Sequence, residues 1–236
     1  MARLLRDLAR LALPPLCPCC GAPLYGTCHG VCRTCWERLP RVDYADSIAH
    51  KGIERRFWLK LPIERATAMF YYHDDVRALV HTYKFHHHPE LAYTLARAWA
   101  EEMAGEDFFD GVEGIVPLPL HPLRRLLRGY NQSEYLALGL SEATGIPVMK
   151  GVVVRRGKLG RQSRLPHSER WANVAGKFHL RGAYRIAGRH VLLVDDVLTT
   201  GSTLLSCAGA LAQAPGVRIS LLAFADANKA FPLDPL

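Results

Sequence analysis

The chain has 236 residues, of which 49% are hydrophobic, so it can bury a core in one large domain or in one medium domain with an appendage. Its 30 Lys and Arg residues outnumber its 22 Asp and Glu residues, which gives a net charge of +8 at pH 7. This balance favours anionic partners such as phosphates, nucleic acid or acidic lipid, and no apolar run approaches the length of a stable membrane span.

The first predicted element is a short amphipathic helix over residues 2–13, with leucines along one side. Charged residues at positions 6, 7 and 10 interrupt its apolar run, so we expect no signal peptide and a cytoplasmic protein. We expect this helix to dock on the protein's own body. Because it is basic and amphipathic, peripheral contact with the inner membrane stays open as an alternative.

Two C-x-x-C pairs follow the helix. A C-x-x-C turn aims two sulfurs at one point, and two such pairs separated by a short loop can bind one tetrahedral Zn²⁺. We therefore predict a structural zinc module over residues 1–40, with the ligands Cys17, Cys20, Cys32 and Cys35. Cys19 and Cys28 are surplus, and either one could replace a ligand. A disulfide cluster is the less favoured alternative in a cytoplasmic chain.

The remainder divides into a connector over residues 41–65 and a domain over residues 66–236 in which strands alternate with helices. Apolar runs predict strands at 66–73, 111–120, from 151, at 191–194 and at 217–227. Helical periodicity and capping residues predict helices at 74–85, 90–104 and 131–145, the last of these between Asn131 with Glu134 and Gly145. This alternation predicts an α/β fold with a mostly parallel sheet covered on both faces.

Two adjacent acids, Asp195 and Asp196, follow the strand at 191–194, and a hydroxyl-rich loop comes next. Ligands of parallel sheets bind beyond the carboxyl ends of the strands. The free N–H groups of a helix that begins near Ser202 can bind a phosphate there, and Gly201 lets the backbone approach it closely. The nucleotide-triphosphate P-loop motif and the dinucleotide fingerprint are both absent, so the loop suits one compact phosphate.

The two carboxylates cannot contact that phosphate, because like charges repel. They require hydroxyl donors or a cation further along the ligand, and a sugar diol or Mg²⁺ would meet that requirement. A phosphate with a diol beside it describes ribose 5-phosphate. The alternative is a pair of aspartates that cap a helix or face solvent.

At this point the sequence resembles a known family. The stretch "VLLVDDVLTTGST" is similar to the 5-phosphoribosyl 1-pyrophosphate (PRPP) motif of type I phosphoribosyltransferases. The wider pattern resembles the ComF family of bacterial proteins linked to competence for DNA uptake. That pattern comprises the two cysteine pairs, "YKF" at 83–85, "VPLPLHPLRRLLRGYNQS" at 116–133, and the spaced motif from Gln162 to Val174.

The resemblance implies a role for each part of the site. Asp195 and Asp196 would bind the ribose hydroxyls, one of them through Mg²⁺, and Leu198–Thr203 would bind the 5-phosphate. The last group comprises Leu198, Thr199, Thr200, Gly201, Ser202 and Thr203. The pyrophosphate group would contact Leu120, His121, Arg124, Arg125 and Lys84. A solvated surface charge is the alternative for each of these basic side chains.

The basic stretch "RRGKLGRQSR" at 155–164 resembles the flexible loop that closes over pyrophosphate in these enzymes. The residues assigned to it are Arg155, Lys158, Arg161 and Gln162. The competing interpretation is a contact with the phosphate backbone of single-stranded DNA.

Two hypotheses of different class follow from the resemblance. In the first, the protein is a phosphoribosyltransferase that uses Mg²⁺ and PRPP, acts in competence and DNA uptake, and transfers the phosphoribosyl group to an acceptor that the sequence does not identify. In the second, it is a non-catalytic module that binds PRPP or single-stranded DNA. Its zinc module would then dock a helicase or a channel protein of DNA import.

Overall fold

The computed structural model describes residues 14–25, 29–44, 61, 63–156 and 177–227. The strands are β1 (Ile63–Tyr71), β2 (Gly114–Pro117), β3 (Val153–Arg155), β4 (Phe178–Leu180), β5 (His190–Leu198) and β6 (Arg218–Asp226). The helices are α1 (Arg33–Arg38), α2 (Asp74–Phe85), α3 (Pro89–Glu102), α4 (Pro122–Arg128), α5 (Gln132–Thr144), α6 (Ala183–Ile186) and α7 (Ser202–Leu211), with a short 3-10 helix at Asp107–Phe109.

A four-stranded sheet in the order β1–β6–β5–β2 forms the centre of the structure, and all its pairs are parallel. Its strands are almost wholly buried, as expected for a parallel sheet with both faces covered. A separate antiparallel pair joins β3 to β4. The predicted fold class, an α/β fold with a parallel sheet between layers of helices, is confirmed.

Alternation along the strands divides the core into two clusters. Leu192 and Val194 point to one face, where they pack with α2, α3 and α5. Val191 and Leu193 point to the opposite face, where they pack with α7 and the small β3–β4 sheet. The carboxyl ends of β5 and β6 and the first turns of α5 and α7 therefore meet at one edge of the sheet.

Local sequence fixes the position of α5. The Asn131 side chain accepts a hydrogen bond of 3.2 Å from the Ser133 N–H and donates one of 3.0 Å to the Leu118 carbonyl, so it caps the helix and ties it to the end of β2. Gly145 ends the helix in the left-handed conformation. The predicted cap and stop are confirmed. The carboxylate of Glu134, in the first turn, makes an ion pair of 2.8 Å with Arg125 of the preceding helix α4.

The cysteine-bearing segment packs on the same core as the sheet. Trp36 lies edge-on to Phe70 at a centroid distance of 6.1 Å and donates a hydrogen bond of 3.0 Å to Glu102. Arg41 makes an ion pair of 2.8 Å with the same carboxylate and lies over the Trp36 ring. The module is thus joined to α3 and β1 by apolar and polar contacts.

Several predicted elements have shifted boundaries, and others lie outside the described residues. The helix predicted at 74–85 has those bounds, whereas the strand predicted at 66–73 begins at Ile63 and ends at Tyr71. The predicted helix at 2–13, most of the connector and most of the basic stretch from 157 onward belong to the chain outside the described residues. Among the helices that are described, none combines the length and the apolar character needed to cross a bilayer.

Candidate functional site

The acid pair lies inside β5, and two more residues of the strand follow it. The sequence predicted that the strand would stop at Val194, but pairing with β6 continues through Asp195 opposite Ala223 to Leu198 opposite Asp226. The loop therefore begins at Thr199 and not at the acids. Main-chain pairing with a neighbouring strand offsets the poor strand propensity of aspartate.

Consecutive residues in the first turn of α5 hold the two carboxylates. Gln132 Nε2 donates a hydrogen bond of 2.5 Å to Asp196 Oδ2, and Ser133 Oγ donates one of 3.4 Å to Asp195 Oδ1. From α2, Lys84 Nζ makes an ion pair of 2.7 Å with Asp196 Oδ2. The Lys84 side chain is 18% exposed and that of Asp196 10%, so the structure turns Lys84 toward the acid pair and not toward solvent.

The two carboxylates differ in their free oxygens. Both oxygens of Asp196 already have donors, because the Val197 N–H donates a hydrogen bond of 2.6 Å to Oδ1 while two donors share Oδ2; Oδ1, with one donor, can accept one more hydrogen bond. At Asp195 the donors, including the Asp196 N–H at 2.8 Å, reach Oδ1. Within the described residues no donor contacts Asp195 Oδ2, so this oxygen is the one left open to a ligand.

Burial and the neighbouring Asp196 charge raise the pKa of Asp195 to about 7, against the lowering effects of the Asp196 N–H, Lys84 and Arg155. A carboxylate that is desolvated beside a second carboxylate holds its proton more tightly than usual. The ionised form of Asp195 is therefore destabilised in the ligand-free protein, and a cation or a pair of hydroxyl donors would stabilise it.

The loop after β5 leads into the N-terminus of α7, as the sequence predicted. Gly201 adopts the left-handed conformation at φ +74° and begins α7. The hydroxyls of Thr200 and Ser202 lie 3.0 Å apart, so they face the same space at the helix N-terminus. Thr199 is exposed and Thr203 is half-buried in the first turn. The Ser202 N–H donates a hydrogen bond of 3.4 Å to the Thr200 hydroxyl, so N–H and hydroxyl donors lie close together in the first turn of α7.

The residues predicted to contact pyrophosphate divide into two groups. Arg124 lines the same cavity as Lys84 and Leu120 is half-buried, whereas Arg125 is engaged by Glu134 at 2.8 Å. His121 caps α4, since its Nδ1 accepts a hydrogen bond of 3.2 Å from the Leu123 N–H. These contacts give Arg125 and His121 structural roles in the ligand-free protein.

Arg155 is the last residue of β3, where Phe178 opposite it holds it in the strand, and so it does not belong to the predicted loop. Its guanidinium lies 5.4 Å from the centroid of the Phe178 ring. Burial lowers the pKa of Arg155, and the charge of Arg124 lowers it further, while Asp195 acts in the opposite direction. Two arginines from different elements thus repel each other beside the acid pair. Lys158, Arg161 and Gln162 lie outside the described residues.

The four predicted zinc ligands converge on one point. The Sγ atoms of Cys17, Cys20, Cys32 and Cys35 all lie within 4.8 Å of one another. Four thiolates about 2.3 Å from one tetrahedral Zn²⁺ require sulfur separations of about 3.8 Å, and Cys20 and Cys32 already lie at 3.7 Å. Cys19 is not one of these four, and its Sγ lies 3.8 Å from the Asp75 carbonyl. This cluster could therefore hold zinc, and Cys28 lies outside the described residues.

Sequence reasoning assigned no role to Gln132 and Ser133, although both stand in the quoted "NQS" motif. The cap at Asn131 does indicate that Gln132 and Ser133 lie in the first turn of a helix that follows β2. The sequence does not indicate which strand lies beside β2. Since β2 pairs with β5, the start of α5 lies directly beside the acids.

Fold and side chains together define the class: a parallel α/β protein with a buried acid pair and neighbouring hydroxyls at the carboxyl ends of its strands and a four-cysteine cluster packed on its core. Among curated proteins the chain is 30% identical to DNA utilization protein YhgH of Salmonella typhimurium over 208 residues, which cover 84% of this chain and 91% of the relative. Competence protein F of Haemophilus influenzae is 27% identical over 201 residues, or 80% and 86% of the two chains. The chain belongs to the ComF family of these relatives, as its motifs predicted.

No family model matches the chain. Solved structures similar to it include an allosteric regulatory enzyme of purine biosynthesis, at 20% identity and a TM-score of 0.38. That similarity covers 60% of this chain and 30% of the enzyme. A purine phosphoribosyltransferase from Pyrococcus horikoshii is 18% identical, with a TM-score of 0.36 and coverage of 57% and 74%.

Proposed function

We propose that this protein binds PRPP together with Mg²⁺ and transfers its phosphoribosyl group to an acceptor during the handling of imported DNA. One observation supports this most directly. Asp195 and Asp196 are buried and held by α5 at the end of a strand, and the loop after that strand brings the hydroxyls of Thr200 and Ser202 within 3.0 Å of each other. The carboxylates suit a sugar diol, and the loop suits the 5-phosphate of the same sugar.

The two aspartates would contact different parts of the ligand. Asp196 is neutralised by Lys84 and therefore suits recognition of a neutral ribose hydroxyl. Asp195 Oδ2 is the open carboxylate oxygen that would hold a second hydroxyl or the Mg²⁺ that accompanies PRPP. Oxygen ligands of this kind fit Mg²⁺, which would supply charge neutralisation at the pyrophosphate.

Phosphoribosyl transfer breaks the bond between the anomeric carbon and the pyrophosphate oxygen, and that oxygen leaves with the electron pair. The acceptor nucleophile forms the new bond at the same carbon, through an oxocarbenium-like state. The protein contributes by orienting the sugar and stabilising the negative charge that grows on pyrophosphate. Arg124 and Arg155 repel each other in the ligand-free protein, and an anion between them would turn that repulsion into attraction.

The names of the relatives favour a second candidate function. Because they are named for DNA utilization and competence, the same fold could act as a module that binds PRPP or single-stranded DNA without turnover. The zinc-binding segment would then dock a helicase or a channel protein. The two functions are compatible, since a basic chain can bind nucleic acid outside the acid-pair site.

Isothermal titration calorimetry of PRPP in Mg²⁺ buffer tests the proposal. We expect Asp195→Asn/Asp196→Asn to weaken PRPP binding at least about tenfold, because the ribose hydroxyls lose both ionised acceptors. Asp110→Asn is the matched control, since Asp110 is exposed at the opposite edge of the sheet. Undetectable binding of PRPP to the wild type, or equal binding to the double variant, would contradict the proposal.

Single-stranded DNA separates the two candidates. A labelled oligothymidine is titrated into the same three proteins at several salt concentrations, since phosphate contacts weaken steeply with salt. DNA binding that survives in the double variant would indicate a second site. Release of pyrophosphate from PRPP on addition of a candidate acceptor distinguishes an enzyme from a binding module.

A further inference from the structure

Helix α4 buries none of its residues, although three of its seven side chains are leucines. Leu123, Leu126 and Leu127 are 52%, 79% and 83% exposed. Single exposed leucines are common on protein surfaces, but a contiguous apolar group on one short helix is typical of an interaction site. None of the three leucines belongs to the residues proposed to bind PRPP, whereas Arg124 of the same helix is also proposed to contact pyrophosphate.

An open cavity of about 470 Å³ adjoins this helix. It lies between the last turn of α2 and α4, and its lining residues are Lys84, Phe85, His87, Arg124, Leu127 and Arg128. Leu127 and Phe85, which is 59% exposed, form the apolar part. The volume is within the range of cavities that accept a large side chain or a small molecule.

The rim of the cavity is basic. Arg128 lies over the Phe85 ring, with its guanidinium carbon 5.4 Å from the centroid, and donates a hydrogen bond of 2.6 Å to Gln132. Lys84 is paired with Asp196 at 2.7 Å. Among the described residues no carboxylate pairs with Arg124. The cavity therefore carries unbalanced positive charge next to exposed leucines.

We infer that α4 and this cavity, here called the α4 surface, dock a short segment of another protein that carries a large apolar side chain flanked by carboxylates. The apolar side chain would enter the cavity against Leu127 and Phe85, and a carboxylate would pair with Arg124. Apolar anchors at the centre of an interface with charges around them are the usual arrangement of such sites.

Charge and shape favour this occupant over three others. A second copy of the chain would bring arginines against arginines at a symmetric contact. A bilayer is flat, whereas this surface is concave. Single-stranded nucleic acid stacks successive bases on several aromatic faces, whereas Phe85 is the one Phe, Tyr or Trp side chain of the described residues that lines the cavity, and Arg128 lies over one face of its ring.

A phage-displayed library of random peptides, selected on the full-length wild-type protein, tests the inference. We expect the enriched peptides to combine Leu, Phe or Trp with Asp or Glu. Fluorescence anisotropy of one such synthetic peptide then compares the variants. Leu126→Ser/Leu127→Ser and, separately, Arg124→Ser should each weaken its binding by about tenfold, the effect of losing one interface anchor.

Tyr184→Ser and Arg181→Ser are the matched controls, because both side chains are exposed and neither lines the cavity. They should bind the peptide like the wild type. PRPP binding is measured on the same proteins, and Leu126→Ser/Leu127→Ser should leave it unchanged. A failure of the PRPP proposal can then be told apart from a failure of the docking inference.

Three results would overturn the inference: no enrichment of acidic, apolar peptides; equal binding of the peptide to the α4 variants; or dependence of dimer formation, rather than peptide binding, on Leu126 and Leu127. A fourth result would also overturn it. In that case no peptide is selected, and Leu126→Ser/Leu127→Ser abolishes binding to phosphatidylglycerol vesicles or to oligothymidine instead.

Discussion

Two neighbouring aspartates of one strand have different surroundings and therefore different chemistry. Asp196 is engaged by Lys84, Gln132 and the Val197 N–H. Asp195 keeps one oxygen open and has its pKa raised to about 7, chiefly by burial and by the Asp196 charge. Asp196 thus offers a ligand an acceptor that is held in place, and Asp195 offers it an open carboxylate oxygen.

The raised pKa of Asp195 predicts how stability depends on pH. The unfolded pKa of aspartate is about 3.9, so the folded state binds this proton more tightly, and the contribution of Asp195 to the stability of the wild type falls as the pH rises from about 4 to about 7. Asparagine does not titrate. We expect Asp195→Asn to be more stable than the wild type by about 1–2 kcal/mol above pH 7, with the difference vanishing below pH 4.

Urea denaturation across pH 3–9, without Mg²⁺ or PRPP, measures this difference. The exposed Asp110→Asn variant should show no comparable dependence on pH. A stability gain for Asp195→Asn that grows on acidification would show that the pKa of Asp195 is lowered, not raised.

At the scale of elements, the close approach of α3 and α5 fixes where the acids' partners lie. Gly139 of α5 faces the main chain of α3, and a Cβ atom there would clash with the Tyr93 carbonyl and come within 3.0 Å of the Arg97 nitrogen. The absence of a side chain at Gly139 therefore lets the main chains of α3 and α5 approach closely. This close packing brings Gln132 and Ser133 to β5.

Two glycine substitutions in helices should have opposite effects. We expect Gly139→Ala to destabilise the protein by about 2–3 kcal/mol, because the added methyl group forces α3 and α5 apart. Gly209→Ala, in α7, should stabilise it by up to about 1 kcal/mol, because its Cβ would make only an ordinary contact of 3.9 Å with Leu61 and alanine favours helix. Urea midpoints of the two variants measure both effects, and a neutral Gly139→Ala would show that the helices can separate freely.

At the scale of the whole molecule, the cysteine segment is part of the main core and not a separate unit. Cys17, Cys35 and Trp36 are buried in the same cluster as Phe70 of β1. Loss of order at the cysteine cluster should therefore weaken the sheet domain as well.

Removing one sulfur tests both the zinc proposal and this coupling. Cys20→Ser should lower the zinc content, measured by atomic absorption, and should reduce stability by at least about 3 kcal/mol, since binding of a structural metal contributes directly to folding. Cys20 is exposed, so lost packing is not the cause.

Cys19→Ser is the control in the same turn, because Cys19 lies outside the sulfur cluster. It should keep the zinc and most of the stability. A zinc-free wild type, or equal zinc loss in both variants, would contradict the assigned ligand set. Two separate thermal transitions would contradict a shared core.

Much of this protein could be predicted from local patterns in its sequence. Apolar runs alternating with helical periodicity gave the parallel α/β architecture, Asn131 and Gly145 gave the bounds of α5, and the C-x-x-C spacing gave the sulfur cluster. These features depend on residues close together in the chain, whose geometry is set by backbone periodicity, capping and turns.

Only the tertiary structure decided which distant residues meet. The pairing of β2 with β5 places Gln132 and Ser133 on the acids, and the packing of α2 turns Lys84 toward Asp196 when the local pattern equally allowed a solvated charge. β5 runs on through the acids because β6 pairs with it. Such contacts join residues that are 28 or more positions apart in the chain and depend on strand order and burial, which no local pattern in one sequence encodes.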